Sequence, residues 1–268
     1  MTSQRTRPVI AIMRPERYLE ESAKLAEDMG FEPILVPMVQ LIEKESEYFD
    51  GFVTRVIDGL SDYVIFTSAN GIIFTLNQIE LSQKKKFIDA LNSTKVIAIG
   101  PNTKKELEVN GIKIHSIPDV YSTHGLLDHL CNKVSGKNIE IPRSSYGAPE
   151  LVTGLKSCGA NVHEIHVYTL QMLEGEKQKQ LINSAIRGEI SAFAFTSSMM
   201  VHSFFKLSEK MGHNETIVDA LNNSIVASIG APTAKTLESY NIVVDVIPEN
   251  YVYREILIKI KQYIGIKN

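Results

Sequence analysis

The sequence contains no tryptophan and, in 268 residues, only two cysteines. Cys131 and Cys158 share no metal-ligand or redox-motif spacing, which fits a reducing cytoplasm rather than a disulfide scaffold. A basic excess is lacking too. The net charge of −3 argues against a general binder of nucleic acid or anionic membranes. No apolar run approaches the roughly 20 residues of a membrane-spanning helix, and the apolar part of "MTSQRTRPVIAIMRPE" is too short for a signal peptide. These absences describe a soluble, cytoplasmic protein with no nucleic-acid or membrane partner.

Catalytic signatures are equally sparse. There is no GxGxxG dinucleotide fingerprint, no GxxxxGK[ST] phosphate loop and no GxSxG nucleophile elbow. "HEIH" at 163–166 is the one close histidine pair. It falls in a predicted strand, where side chains three apart face opposite sides and do not share a metal. The lysines at 84–86 read as a solvated helix face, and Cys158, ahead of a helix-stopping glycine, as a small packing residue. An enzyme of this kind works without a metal, a nucleotide loop or a hydrolytic triad.

What the sequence does contain is a duplication. "TKVIAIGPNTKKELEVNGIKIHSIPD" and "SIVASIGAPTAKTLESYNIVVDVIPE" align Gly100 with Gly230, Thr103 with Thr233 and Pro118 with Pro248, all 130 residues apart. "YVIFTSANGIIFTL" pairs with "SAFAFTSSMMVHSFF", setting Thr67 against Thr196 at 129. "VIAIMRPERYLEESAKLAEDMGFEPILVP" pairs with "NIEIPRSSYGAPELVTGLKSCGANVHEIHV", setting Arg14 against Arg143 and Gly30 against Gly159. Three units recur in the same order, so the chain is two long repeats rather than a solenoid.

Each unit runs apolar strand, polar turn, helix, glycine, apolar strand. Continuous apolar runs such as "YVIFT" and "IVASIG" read as strands buried on both faces. "TSAN" and "GPNT" place hydroxyl or amide side chains where helix caps belong. The predicted class is α/β, with two similar doubly wound domains of parallel sheet. Two domain divisions compete. One lies near Gly136, between the copies. The other follows the extended exits at "PMVQLIEKESEYFDG" and "YTLQMLEGEKQKQ", and joins residues 1–37 with 172–268 against 38–171.

Ligands of open α/β sheets bind beyond the carboxyl ends of the strands. The turns there carry Arg14, Thr67-Ser68-Ala69-Asn70, Thr103, Arg143, Ser197, Ser198 and Thr233. Each hydroxyl can be read as a simple helix cap. As a duplicated set, the turns can also be read as two sets of N–H groups, hydroxyls and arginines suited to a polyanion.

These motifs, in this order, resemble the uroporphyrinogen-III synthase family. The resemblance is carried by "MRPERYLEESAKLAEDMGFEPILVPM", "VIFTSANGI", "AIGPNTKKELEVNGI", "IPRSSYGAPELVTGLKSCGANVHEIHVYTL", "FAFTSS" and "SIGAPTAKTLESYNI", nearly the whole chain. It implies two α/β domains joined by a two-stranded connector, and therefore the discontinuous division. It also implies one carboxylate-rich substrate, hydroxymethylbilane, held in the cleft between equivalent turns. The product is uroporphyrinogen III, made with loss of water, inversion of ring D and no cofactor. Arg14, Thr67, Ser68, Ala69, Thr103, Arg143, Ser197, Ser198 and Thr233 are the implied substrate contacts. Tyr168, in "HVYTL", matches the family's tyrosine and is the implied proton donor, since a phenol is protonated at neutral pH. The expected state is a monomer, with transient contact to the preceding enzyme of the pathway. Tyr146 and Ala148 stand where members often carry further arginines. A non-catalytic two-domain protein binding a tetrapyrrole or another polycarboxylate is the alternative. If the discontinuous division holds, a fragment of residues 38–171 will unfold cooperatively by circular dichroism and one of residues 1–136 will not.

Overall fold

The computed structural model describes residues 7–267. Along the chain, β1 (Val9–Ile12), α1 (Leu19–Asp28), β2 (Glu32–Leu35) and β3 (Val39–Glu43) come first. Next are α2 (Phe49–Ile57), β4 (Tyr63–Phe66), α3 (Ala69–Gln78), α4 (Leu81–Leu91), β5 (Lys95–Ala98) and α5 (Pro101–Val109). Then α6 (Thr123–Leu130), β6 (Asn138–Ser144) and α7 (Glu150–Ser157) lead into the long β7 (Asn161–Met172). Last are α8 (Glu176–Ile186), β8 (Ala192–Phe195), α9 (Ser198–Lys210), α10 (Asn214–Asn222), β9 (Ile225–Ser228), α11 (Ala231–Glu238) and α12 (Tyr253–Lys267). Among the described residues, no helix is long and apolar enough to cross a membrane.

The chain forms two compact units. One takes the sequence up to Gln40 and again from Gln171; the other is Leu41–Leu170. Their sheets run β2-β1-β8-β9 and β3-β7-β6-β4-β5. Under the duplication, β2, β1, β8 and β9 correspond to β7, β6, β4 and β5, so the two sheets share one strand order. These strands pair in parallel, with Ile10 opposite Ala192 and Val64 opposite Val96. β3 and β7 carry the two passages between units. They run antiparallel, since Leu173 N–H donates to Met38 and Lys44 N–H to Val167.

The strands are apolar throughout because both faces are covered. In β4, Val64 and Phe66 enter a core with α2–α5, while Tyr63 and Ile65 enter one with α6 and α7. In β1, Ala11 packs with α8–α11, and Ile10 and Ile12 pack with α1 and α12. Helix ends follow the sequence signals. Gly30, Gly111 and Gly159 have φ of 89°, 72° and 85°, and Asn241, which replaces the glycine opposite Gly111, has φ 61°. Asparagine tolerates this left-handed conformation better than other side chains do.

One expectation is corrected. Cys131, just after α6, and Cys158, at the end of α7, form a disulfide with a Cα–Cα distance of 5.2 Å. Helices α6 and α7 pack side by side through Leu126, Leu130, Leu151 and Leu155, and each cysteine lies within one turn of that seam. Sequence spacing carries no sign of this packing.

Glu140 in the middle of β6 is fully buried. Its carboxylate takes a two-pronged contact from Arg55 of α2 at 2.7 and 2.8 Å and a bond from Ser61 at 3.2 Å. The carboxylate in turn holds the Arg55 pKa above its ordinary value. Removing one partner of a buried ion pair leaves the other uncompensated. Arg55→Ala is therefore expected to cost about 3–5 kcal/mol, measured as a lower urea midpoint. Arg55→Lys will recover only part of the loss, because an ammonium cannot make the two-pronged contact.

Candidate functional site

In the Leu41–Leu170 unit, the chain leaves β4 at Thr67 and starts α3 at Ala69. Ser68 is the cap, and its Oγ accepts the Gly71 N–H at 3.2 Å. The same Oγ lies 3.1 Å from the Tyr168 hydroxyl. Tyr168 stands on β7 opposite Ser144, just past the irregularity in register between Arg143 and Ser144. Its ring is buried and stacks on Phe74 of α3, with centroids 5.1 Å apart and planes 17° from parallel. Ser68 and Tyr168, 100 residues apart in sequence, thus form a hydroxyl pair at the N-terminus of a helix. Thr67 sits one residue before the cap and is partly exposed.

Arg143 occupies a different setting from the one its sequence suggests. It is only 5% exposed. Nη2 donates to the Ala148 carbonyl at 3.0 Å, and Nε lies 3.5 Å from Glu164 Oε1. Neither Nε nor Nη1 has a hydrogen-bond partner among the described residues. The following loop closes over the guanidinium so tightly that a Cβ on Gly147 would fall 1.7 Å from Nη2.

Arg14 follows β1 in the other unit, at the position equivalent to Arg143. Its guanidinium lies over the rings of Tyr18 and Tyr253, 4.6 and 4.7 Å from their centroids, and Nη1 donates to Ser22 Oγ at 2.9 Å. Two aromatic faces and one hydroxyl hold the group still. Burial lowers the Arg14 pKa from its ordinary value, although an arginine remains charged at neutral pH. Arg14 is partly exposed and makes no ion pair among the described residues. Tyr253, whose hydroxyl is buried without a partner among the described residues, has its pKa raised by desolvation.

The hydroxyls of this unit divide in the same way. Ser197 caps α9, accepting the Met200 N–H at 3.2 Å. Ser198 is engaged inside the protein, donating to the Pro232 carbonyl at 3.4 Å and accepting from Thr236 Oγ1 at 2.8 Å. Thr103 and Thr233 are not caps. The cap positions of α5 and α11 are Gly100 and Gly230, which supply no side-chain bond. The "GPNT" turn is corrected accordingly: its proline takes the first helical position and its threonine the third. Sequence reasoning missed Phe74, Tyr18, Tyr253, Glu164 and Gly147. The glycine in "SSYGAP" was the readable signal, since a glycine in a short polar loop often marks a close approach.

Each unit by itself offers an arginine and helix N-termini beyond its strand ends, and the Leu41–Leu170 unit adds a buried phenol–serine pair; groups of this kind suit carboxylates. The family described as uroporphyrinogen-III synthase HemD matches residues 20–256. The chain is 28% identical over 252 residues, 92% of its length, to a Methanothermobacter thermautotrophicus protein provisionally named uroporphyrinogen-III synthase, and covers 95% of that protein. It is 26% identical to the uroporphyrinogen-III synthase of Chlorobaculum parvum over 190 residues, 70% of this chain and 74% of that one. A mutant uroporphyrinogen III synthase from the extreme thermophile Thermus thermophilus shares the fold with a TM-score of 0.66 at 20% identity, over 96% of this chain and 99% of its own.

A buried cation with two nitrogens that lack a hydrogen-bond partner among the described residues, and only a long contact to Glu164, is a poor contributor to stability. Arg143→Met keeps an unbranched apolar stem and removes the guanidinium with its charge. It is expected to melt at the wild-type temperature or above, as followed by circular dichroism.

Proposed function

The chain belongs to the uroporphyrinogen-III synthase family, and we propose that it is a working synthase. It would close hydroxymethylbilane to uroporphyrinogen III with inversion of ring D and loss of one water. The observation that carries this reading is the Ser68–Tyr168 pair at 3.1 Å. Ser68 Oγ already accepts the Gly71 N–H, so its own proton is free to point at the Tyr168 oxygen. The Tyr168 proton is then available to the substrate. Transfer of that proton to the terminal hydroxyl lets it leave as water, while the pyrrole nitrogen supplies electrons and an azafulvene cation remains. The phenolate left behind receives the Ser68 O–H and sits at the positive end of α3. After ring D has inverted through a spirocyclic intermediate and the macrocycle has closed, the proton lost from carbon returns to the phenolate.

Arg14, Thr67, Ala69, Thr103, Ser197, Ser198, Thr233 and Arg143 are proposed to position the substrate. Arg14 is the strongest of these, since its preorganised edge costs little to use. Holding a flexible tetrapyrrole in its reactive shape contributes the largest part of catalysis, up to about 7–11 kcal/mol. No cofactor enters this scheme. A monomer in the cytoplasm accords with it, and there the Cys131–Cys158 bridge would be open to reduction by the thiol pool.

The test is to supply freshly made hydroxymethylbilane and identify the product isomer by chromatography. Type III product supports the synthase; type I alone leaves a tetrapyrrole-binding protein. Tyr168→Phe removes one proton and keeps the ring on Phe74. It should lower turnover about 10²–10⁴-fold with little change in melting. Wild-type turnover in that variant would mean that no side-chain acid is needed.

A further inference from the structure

Two glycines and two tyrosines take no part in that chemistry. Gly100 and Gly230 cap α5 and α11, although α3, α6 and α9 use serine at the same position and gain a hydrogen bond by it. The backbone does not require glycine there, because φ is −174° and 179°, extended values open to any residue. The missing side chains make room for aromatic rings. A Cβ on Gly100 would lie 3.2 Å from Cβ and Cγ of Tyr121, and one on Gly230 would lie 3.0 Å from Cδ1 of Tyr251.

Tyr121 and Tyr251 are 130 residues apart, the offset of the glycines themselves, although their neighbours differ: "VYST" in one copy and "NYVY" in the other. Neither ring belongs to a core. They are 57% and 70% exposed, and neither hydroxyl bonds to another of the described residues. Beside each ring lies a helical first turn whose third residue, Thr103 or Thr233, is only 4% exposed and has a hydroxyl without a partner among the described residues. A helical side chain leans towards the N-terminus of its own helix, so both hydroxyls point along the turn that the tyrosine flanks.

We propose that Tyr121 and Tyr251 are twin binding residues, each packing its ring face on a pyrrole whose carboxylate is received by the adjacent helix N-terminus. This rests on the tetrapyrrole reading and adds to it which residues grip the rings. A linear tetrapyrrole repeats one ring-and-carboxylate unit, and a duplicated site repeats one aromatic-and-N–H unit. Tyrosine suits the task because a large flat face is presented with few rotatable bonds.

The experiment compares Tyr121→Ala, Tyr251→Ala and the corresponding Phe variants in the full chain. Binding of uroporphyrinogen III is titrated calorimetrically without oxygen, alongside the KM for hydroxymethylbilane. Each Ala variant should bind about two- to tenfold more weakly, each Phe variant should match the wild type, and all should melt as the wild type does. Ala variants with wild-type affinity overturn the proposal while leaving the synthase reading intact. Phe variants as weak as Ala overturn it as well, because the hydroxyl and not the ring face would then make the contact. A wild-type protein that neither binds nor converts tetrapyrrole removes the synthase reading and this inference together.

Discussion

A parallel sheet must be covered on both faces, and both sheets obey this residue by residue. β4 and β8 are buried along their full length, with alternate side chains entering opposite cores. Helices therefore occupy both faces, and polar chemistry is left only at the strand ends. At their carboxyl ends the chain turns in the open and starts helices with N–H groups unpaired. Ser68, Ser197, Gly100 and Gly230 all fall there. The placement of the candidate site is thus a by-product of covering the strands.

That logic made the fold class legible. Runs such as "VIFT" and "FAFT" could only be strands hidden on both sides, and the second copy read the same as the first. Asn241 fits the same grammar, keeping a left-handed helix end that glycine serves in the other copy. The site was less legible. Arg14 and Arg143 look equivalent in sequence, yet one lies between two tyrosines and the other lies under a loop. The difference comes from loop conformation, which no periodicity encodes. Thr103 and Thr233 resemble caps until the glycine before them is seen to hold the position. The meeting of Ser68 and Tyr168 depends on β4, β6 and β7 lying side by side, and Phe74 read as ordinary core. The disulfide needed the contact between α6 and α7, which spacing cannot give.

Two buried charges show opposite uses of the interior. Glu140 has a full set of partners and ties α2 to the centre of a sheet. Arg143 has donors left over at the carboxyl end of a strand. A satisfied network fixes a structure, whereas an unsatisfied one raises the energy of the empty state. Such leftover capacity is common where a protein must receive something.

β1 belongs to a sheet whose next strand, β8, begins about 180 residues later; the bond from Val9 to Ser191 spans 182 positions. On a ribosome adding about 5–20 residues per second, β1 therefore waits on the order of 10–40 s for its neighbour. In that interval the Leu41–Leu170 unit is synthesised and can complete its own core, while "VIAI" remains an apolar strand lacking half its pairing. A strand made before that whole unit is thus placed after it. Its protection during synthesis then falls to chaperones or to provisional contacts, and any truncation before β8 removes the strand beside which β1 belongs.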